Sequence, residues 1–472
     1  MLNVSRLALA LMLLIASSAF AQTESPNDIC KRVTPALVAV QWTWAYEYGR
    51  MEFVGAGIVV RDDGLIMIPM QVADPGIADE QMVDFKIIIP SDATHDEQEI
   101  EAVFQGRDER GDVAFVKPKA SDRKWQALKF EDVPVDVGDR LVSVGMFPRK
   151  GGYQTFCSTC IVGAILRGEV PPIIVTGGSF TATGGPVFNA RGQAIGYINT
   201  QNSNYLLDAT GEGYSKPFQP MSSWRLPLES PPVLFTHARE LMQSLRDPPT
   251  PERPLNYPWL GATLTGIEKD VAEVFDLQNQ AAIEIAEVVA DAPLAKAGMK
   301  TGMKIVKFNG QPLTRGDSPD EVSDILGRQV QRLKAGDVVT LTLMSEKDKP
   351  LEDVKVTLEN RPIRQNELPR SWFEDLGFSV RDLTFFDRYT RKQPNDLKGV
   401  LVGLTRAQSP AESAKLESEH IIQSINGTPV TGREQFSTDY KNFRAEKPTE
   451  AIILVVLKQD GQTQTIRIEP PQ

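Results

Sequence analysis

Few residues in this chain can do covalent or acid–base chemistry. Its 472 residues include three cysteines (Cys30, Cys157, Cys160) and three histidines (His95, His237, His420). Cys157-Ser-Thr-Cys160 has the spacing of a redox or metal motif, but no second CxxC and no nearby histidine supports a metal set. In an extended strand, residues three apart sit roughly 10 Å from each other, too far for a disulfide. A bridge would need a turn at Ser158-Thr159, so a structural or free-thiol role is expected, without metal or cofactor. His95 lies in a polar loop, His237 in a connecting helical stretch and His420 near the C-terminus.

The elements that must position such residues are mostly strands. From Ile29 to about Gln201, short apolar runs such as Ala36–Trp42, Phe85–Ile89, Val113–Val116 and Ala194–Ile198 alternate with turns. That spacing predicts an all-β barrel or sandwich. Leu234, Ala238, Leu241 and Leu245 fall on one helical face, and the proline-rich stretch 247–254 cannot continue that helix and reads as a linker. Beyond it the chain repeats. Asn309-Gly310 matches Asn426-Gly427 and Ala292-Pro293 matches Ser409-Pro410, both 117 positions apart, while Leu260-Gly261 matches Leu376-Gly377. Two copies are too few for a solenoid, so each is expected to be an independent domain.

Charge and the N-terminus narrow the function classes. A net charge of −11 speaks against nucleic-acid binding. Arg6, the apolar run Leu7–Ile15 and Ala19-Phe-Ala21 have the form of a signal peptide, and the run is short for a bilayer span. Export with cleavage after Ala21 is expected, with no later membrane span.

The order of export signal, β-rich domain, linker and two similar modules resembles the HtrA/Deg family of envelope serine proteases. Gly55-Ala-Gly-Ile-Val-Val60 is similar to the family strand leading to the catalytic histidine, and Gly111-Asp112-Val-Ala-Phe-Val to the segment holding its aspartate. Thr181-Ala-Thr183-Gly-Gly stands where the family has its Gly-Asn-Ser-Gly-Gly nucleophile loop, and Asp375-Leu-Gly-Phe378 resembles the Gly-Leu-Gly-Phe signature of PDZ domains. The resemblance implies a mainly β chain: a trypsin-like double β-barrel (22–246) after the signal peptide (1–21), a linker (247–256), and two α+β PDZ domains (257–362 and 366–472).

The resemblance also implies a degenerate triad. A serine protease needs an alcohol nucleophile, a histidine base and a carboxylate that orients it. Gln71 occupies the histidine position, Thr183 the serine position, and Asp112 the aspartate position. A primary amide cannot act as a general base near neutral pH, and an internal threonine has no free α-amine to serve it. Thr181 and Ala182 replace the Gly-Asn that shapes the oxyanion hole.

PDZ resemblance further assigns Trp259, Leu260, Gly261, Ala262, Leu376, Gly377 and Phe378 to peptide-binding loops, with Asp375 unfavourable beside a carboxylate. The expectation is a non-catalytic exported protein of the periplasm or cell envelope. It would bind peptide C-termini or unfolded proteins, associate as a trimer around Trp42, Trp44 and Tyr46, and regulate active protease relatives. The rival expectation is an active endopeptidase using Thr183 with another base.

Overall fold

The computed structural model describes residues 23–46, 49–91, 95–120, 122–165, 173–176, 184–198, 233–277, 280–316, 318–346 and 350–470. The expected signal segment lies outside them, and so do Thr181, Ala182 and Thr183.

The first six strands are β1 (Leu37–Tyr46), β2 (Gly49–Val59), β3 (Ile66–Pro69), β4 (Met82–Ile89), β5 (Gln98–Asp108) and β6 (Val113–Pro118). They close into a barrel in the order β1-β2-β3-β6-β5-β4. The next six are β7 (Arg140–Met146), β8 (Thr155–Ile165), β9 (Ile173–Thr176), β10 (Pro186–Asn189), β11 (Ala194–Tyr197) and β12 (Val233–His237), closing as β10-β11-β12-β9-β8-β7. Side chains alternate along a strand, which lets β1 serve two layers. Val38, Val40 and Trp42 fill the first barrel with Ile66 and Ile68, whereas Leu37 joins Val142, Val144 and Phe188 between the barrels. Helix α1 (Pro26–Val33) starts on the Ser25 cap, with Pro26 in its first turn, and buries Ile29 and Val33 in that inter-barrel layer.

Two expectations change here. The helical face expected from Leu234 begins later: Val233–His237 is a barrel strand, and α2 spans Ala238–Arg246 with His237 as its cap. Closing the second barrel requires that strand, so backbone pairing outweighs helical periodicity. Trp42 is not available as an assembly surface. It is fully buried, stacked 4.7 Å from Phe53, and donates its indole N–H to the Val72 carbonyl at 2.7 Å.

Two open sheets follow. The first C-terminal module contains β13 (Pro258–Trp259), β14 (Ala262–Gly266), α3 (Lys269–Val274), β15 (Ile283–Val288), α4 (Pro293–Lys296), β16 (Lys304–Phe308), β17 (Gln311–Pro312), α5 (Pro319–Gln331), β18 (Val338–Met344), β19 (Glu352–Thr357) and β20 (Glu359–Asn360). The second contains β21 (Arg370–Phe373), β22 (Phe378–Asp382), α6 (Phe385–Thr390), β23 (Val400–Thr405), α7 (Pro410–Ser413), β24 (Ile421–Ile425), β25 (Thr428–Pro429), α8 (Arg433–Glu446), β26 (Ile452–Leu457) and β27 (Thr463–Ile468).

The repeated residues make matching contacts. Gly261 and Gly377 have φ of +77° and +76°. A Cβ on Gly261 would lie 2.2 Å from Ala292 Cβ, and one on Gly377 2.4 Å from Ser409 Cβ. Leu294 N–H donates to Leu260 O, and Ala411 N–H to Leu376 O, both at 3.0 Å. Asn309 and Asn426, also at positive φ, each accept a backbone N–H at 2.9 Å, from Thr340 and Ile453. The landmarks repeat because each pair closes the same turn in each module.

The second module buries an ion pair, Arg381 with Asp387, at 2.5 and 2.9 Å. Burial pushes the Asp387 carboxyl up, but the Arg381 hydrogen bonds and charge outweigh it and leave the group below its ordinary value. A depressed folded value gives stability that is present above the unfolded pKa of about 3.9 and lost as pH falls through the folded value. We expect acid unfolding of this module, followed by circular dichroism, to begin below about pH 4. Asp387→Ala should cost about 3–5 kcal/mol at neutral pH, because it strands a buried guanidinium.

Candidate active site and peptide-binding loops

Asp112 ends the turn between β5 and β6 in the left-handed region, at φ +53°, a conformation aspartate tolerates better than most residues. Its carbonyl oxygen accepts the Met70 N–H at 3.1 Å and the hydroxyl of Tyr197 at 2.9 Å. Burial, then the neighbouring Asp112 charge, pushes the Tyr197 phenol well above its ordinary value, so it stays a donor. Gln71 sits in the short 3₁₀ turn Met70–Ala73 directly after β3. That turn is pinned by the Trp42 indole on Val72 O and by Arg107, which donates to Ala73 O at 2.7 Å and Asp74 O at 2.9 Å. Gly55 must be glycine because the Val72 side chain fills the place of a Cβ, 2.4 Å away.

These anchors bring the Gln71 amide nitrogen 3.5 Å from Asp112 Oδ2. A carboxylate faces an amide donor, which can hold the carboxylate in place but cannot itself take a proton near neutral pH. Gly184, the described residue after Thr183, donates its N–H to Ile198 O at 2.8 Å and lies against Ala56 and Pro69. The histidines are placed elsewhere. His95 is exposed between β4 and β5, His237 Nε2 meets Val133 O at 2.8 Å, and His420 is buried in the second C-terminal module. Cys157 and Cys160 lie in β8, one exposed and one buried, as odd spacing in a strand requires, and both are free thiols. Burial pushes the Cys160 thiol up to about 12.

The family model for a trypsin-like peptidase domain matches residues 55–196. A probable periplasmic serine endoprotease, DegP-like, of Pseudomonas savastanoi pv. phaseolicola is 27% identical over 425 residues, covering 87% of this chain and 77% of that relative. Its counterpart in Brucella suis biovar 1 is 26% identical over 420 residues, covering 88% and 73%. Among solved structures, the HtrA-type protease AlgW with a tripeptide shares the fold at TM-score 0.51 and 18% identity, over 72% of this chain and 99% of that one. Residues 55–196 thus match a trypsin-like peptidase domain, and the chain as a whole is similar to HtrA/Deg-type serine endoproteases.

Residues that sequence reading did not single out tie the site to the rest of the molecule. Tyr197 bridges the barrels, and Glu109, in the turn that carries Asp112, meets the C-terminal region. The Glu109 N–H donates to the Tyr257 hydroxyl at 2.8 Å, and its carboxylate lies 3.2 Å from Arg364 and 3.7 Å from Arg361. Burial pushes the Glu109 carboxyl up to about 7 against the pull of Arg361. In sequence Tyr197 is one residue of an apolar run, and Glu109 is one of many surface-like charges.

The expected peptide-loop residues divide by role. Leu260 and Ala262 belong to the core of the first module, Leu376 and Phe378 to that of the second. Trp259 turns to the neighbouring module, its ring edge-on to Phe385 and Phe386 at 6.1 Å. Gly261 and Gly377 form the tight turns before β14 and β22.

The Gln71–Asp112 geometry is testable. In Gln71→His, the introduced imidazole should titrate above the ordinary value of about 6.5, because a carboxylate beside it favours the cation. Adding Asp112→Asn should return it toward that value in an NMR titration. An unshifted imidazole in the single variant would mean that the carboxylate points away.

Proposed function

We propose that the protein is a proteolytically inactive HtrA/Deg homologue of the periplasm or cell envelope. It captures peptide C-termini or unfolded polypeptides through its first C-terminal module, a PDZ domain. The observation that carries the reading is the amide at position 71. No imidazole accompanies Asp112, and in subtilisin removing the histidine alone costs about a million-fold in kcat.

The binding half rests on a strand edge. Among the described residues, β14 pairs with β15 alone, which leaves its other edge without a strand partner alongside the turn at Gly261. PDZ-type capture adds an extended peptide to such an edge and holds its terminal carboxylate with loop amides. The groove is short, because Gly266 at the far end of β14 touches the Pro319 carbonyl of α5. That shape supports recognition of a peptide's last residues. The protein would recruit or regulate, through an oligomer or an active relative.

A second reading, a working endopeptidase, is favoured by the relatives' description as serine endoproteases. One assay separates the two. The mature protein should not cleave casein and should not label with a fluorophosphonate; turnover that disappears in Thr183→Ala would establish the second reading instead. Calorimetry should show binding of a peptide with a free, apolar C-terminus, weakened about tenfold or more by amidation, the worth of hydrogen bonds to a charged group. Equal affinity for both forms would remove carboxylate capture.

A further inference from the structure

The two modules share their turns but differ at the edge that matters. In the first, the strand before the Gly261 turn, β13, pairs away with β20 and leaves the β14 edge open. In the second, the strand before the Gly377 turn, β21, folds back along β22 over the whole of its length. Arg370 faces Arg381, Ser371 Val380, Trp372 Ser379 and Phe373 Phe378. β22 also pairs with β23, so both of its edges are taken. A strand has two edges, and no third chain can join.

We propose that the second module is a PDZ groove permanently occupied by its own chain, with β21 as the added strand, Phe373 as the apolar anchor and Asp375 as the terminal carboxylate. The proposal rests on the reading of both modules as PDZ domains. The added strand, the apolar anchor and the carboxylate all come from within, the carboxylate being held by α8 side chains while the turn amide is taken by the strand itself. Phe373 is buried against Phe378, Phe436 and Tyr440, with ring centroids 5.0, 5.3 and 4.4 Å away. Ser371 is tied to α8 by the Arg433 guanidinium at 3.1 Å and the Ser437 hydroxyl at 3.0 Å. The Asp375 carboxylate accepts from the Tyr440 hydroxyl and lies 3.2 Å from Arg444, one turn further along α8. The Gly377 N–H, the amide of the turn, is already bonded to Phe373 O at 2.7 Å. Burial, then Asp375, pushes the Tyr440 phenol up, so it stays a donor to the carboxylate. The remaining cleft lies between β21 and α8, one strand outward from the edge a ligand would use.

Hydrogen exchange on the full mature chain, read by mass spectrometry, tests this without a variant. Without ligand, segment 370–374 should exchange at least about 100-fold more slowly than an unstructured chain, as paired strands do. Adding an apolar free-acid peptide in excess should slow exchange at 262–266 and leave 370–382 unchanged. Exchange of 370–374 at the unstructured rate would overturn the proposal. So would a peptide that releases 370–374 and protects 378–382. If the chain binds no peptide, peptide capture by the first module fails, and protection of 370–374 still decides the occupancy of the second.

Discussion

Every strand has two edges of backbone N–H and C=O groups, and each edge must find a partner or face water. The barrels satisfy this by closure, so neither barrel presents an edge to another chain. The C-terminal sheets stay open and must deal with their ends one by one. In the first, β14 is left at the margin; in the second, β21 covers β22. Two modules with the same turns thereby acquire different capacities, and the difference lies in where one short strand pairs.

The same separation between backbone and side-chain work explains how the region around Gln71 and Asp112 keeps its shape. Asp112 holds the site through its carbonyl, which joins Met70 of the first barrel to Tyr197 of the second. The turn that bears Gln71 is fixed by Trp42 and Arg107 through main-chain oxygens. None of these bonds depends on what side chain stands at position 71. With an amide at position 71, the Asp112 carboxylate still has a hydrogen-bond donor beside it.

Contacts between units converge on the turn before Asp112. Glu109 meets Tyr257 at the start of the first module and Arg361 and Arg364 in the connector to the second. The proline-rich linker is packed as well: Pro249 lies against Gly106, and Arg253 pairs with Asp247 at 2.6 Å. Between the modules, Trp259 packs on Phe385 and Phe386, and the Tyr389 hydroxyl donates to Glu287 at 2.5 Å. The first C-terminal module and the turn that carries Asp112 are therefore joined by direct bonds.

Much was legible in the sequence because it is local. The β-rich first half follows from apolar runs of strand length, and the repeat from Asn-Gly, Gly and Pro at fixed offsets, since turns demand particular residues wherever they occur. The amide at position 71 could be read against a family pattern for the same reason. What only the tertiary structure decided involves partners far apart in the chain. Val233–His237 is a strand because a barrel must close, although Leu234 fits a helical face with α2. Trp42 is core and a clamp on Val72 thirty residues away, although an aromatic run reads equally well as a surface for assembly. Asp375, which sequence alone places as a charge hostile to an anionic ligand, is instead held by Tyr440 and Arg444. Strand pairing and burial are properties of what a residue meets, and no short segment encodes its distant neighbour.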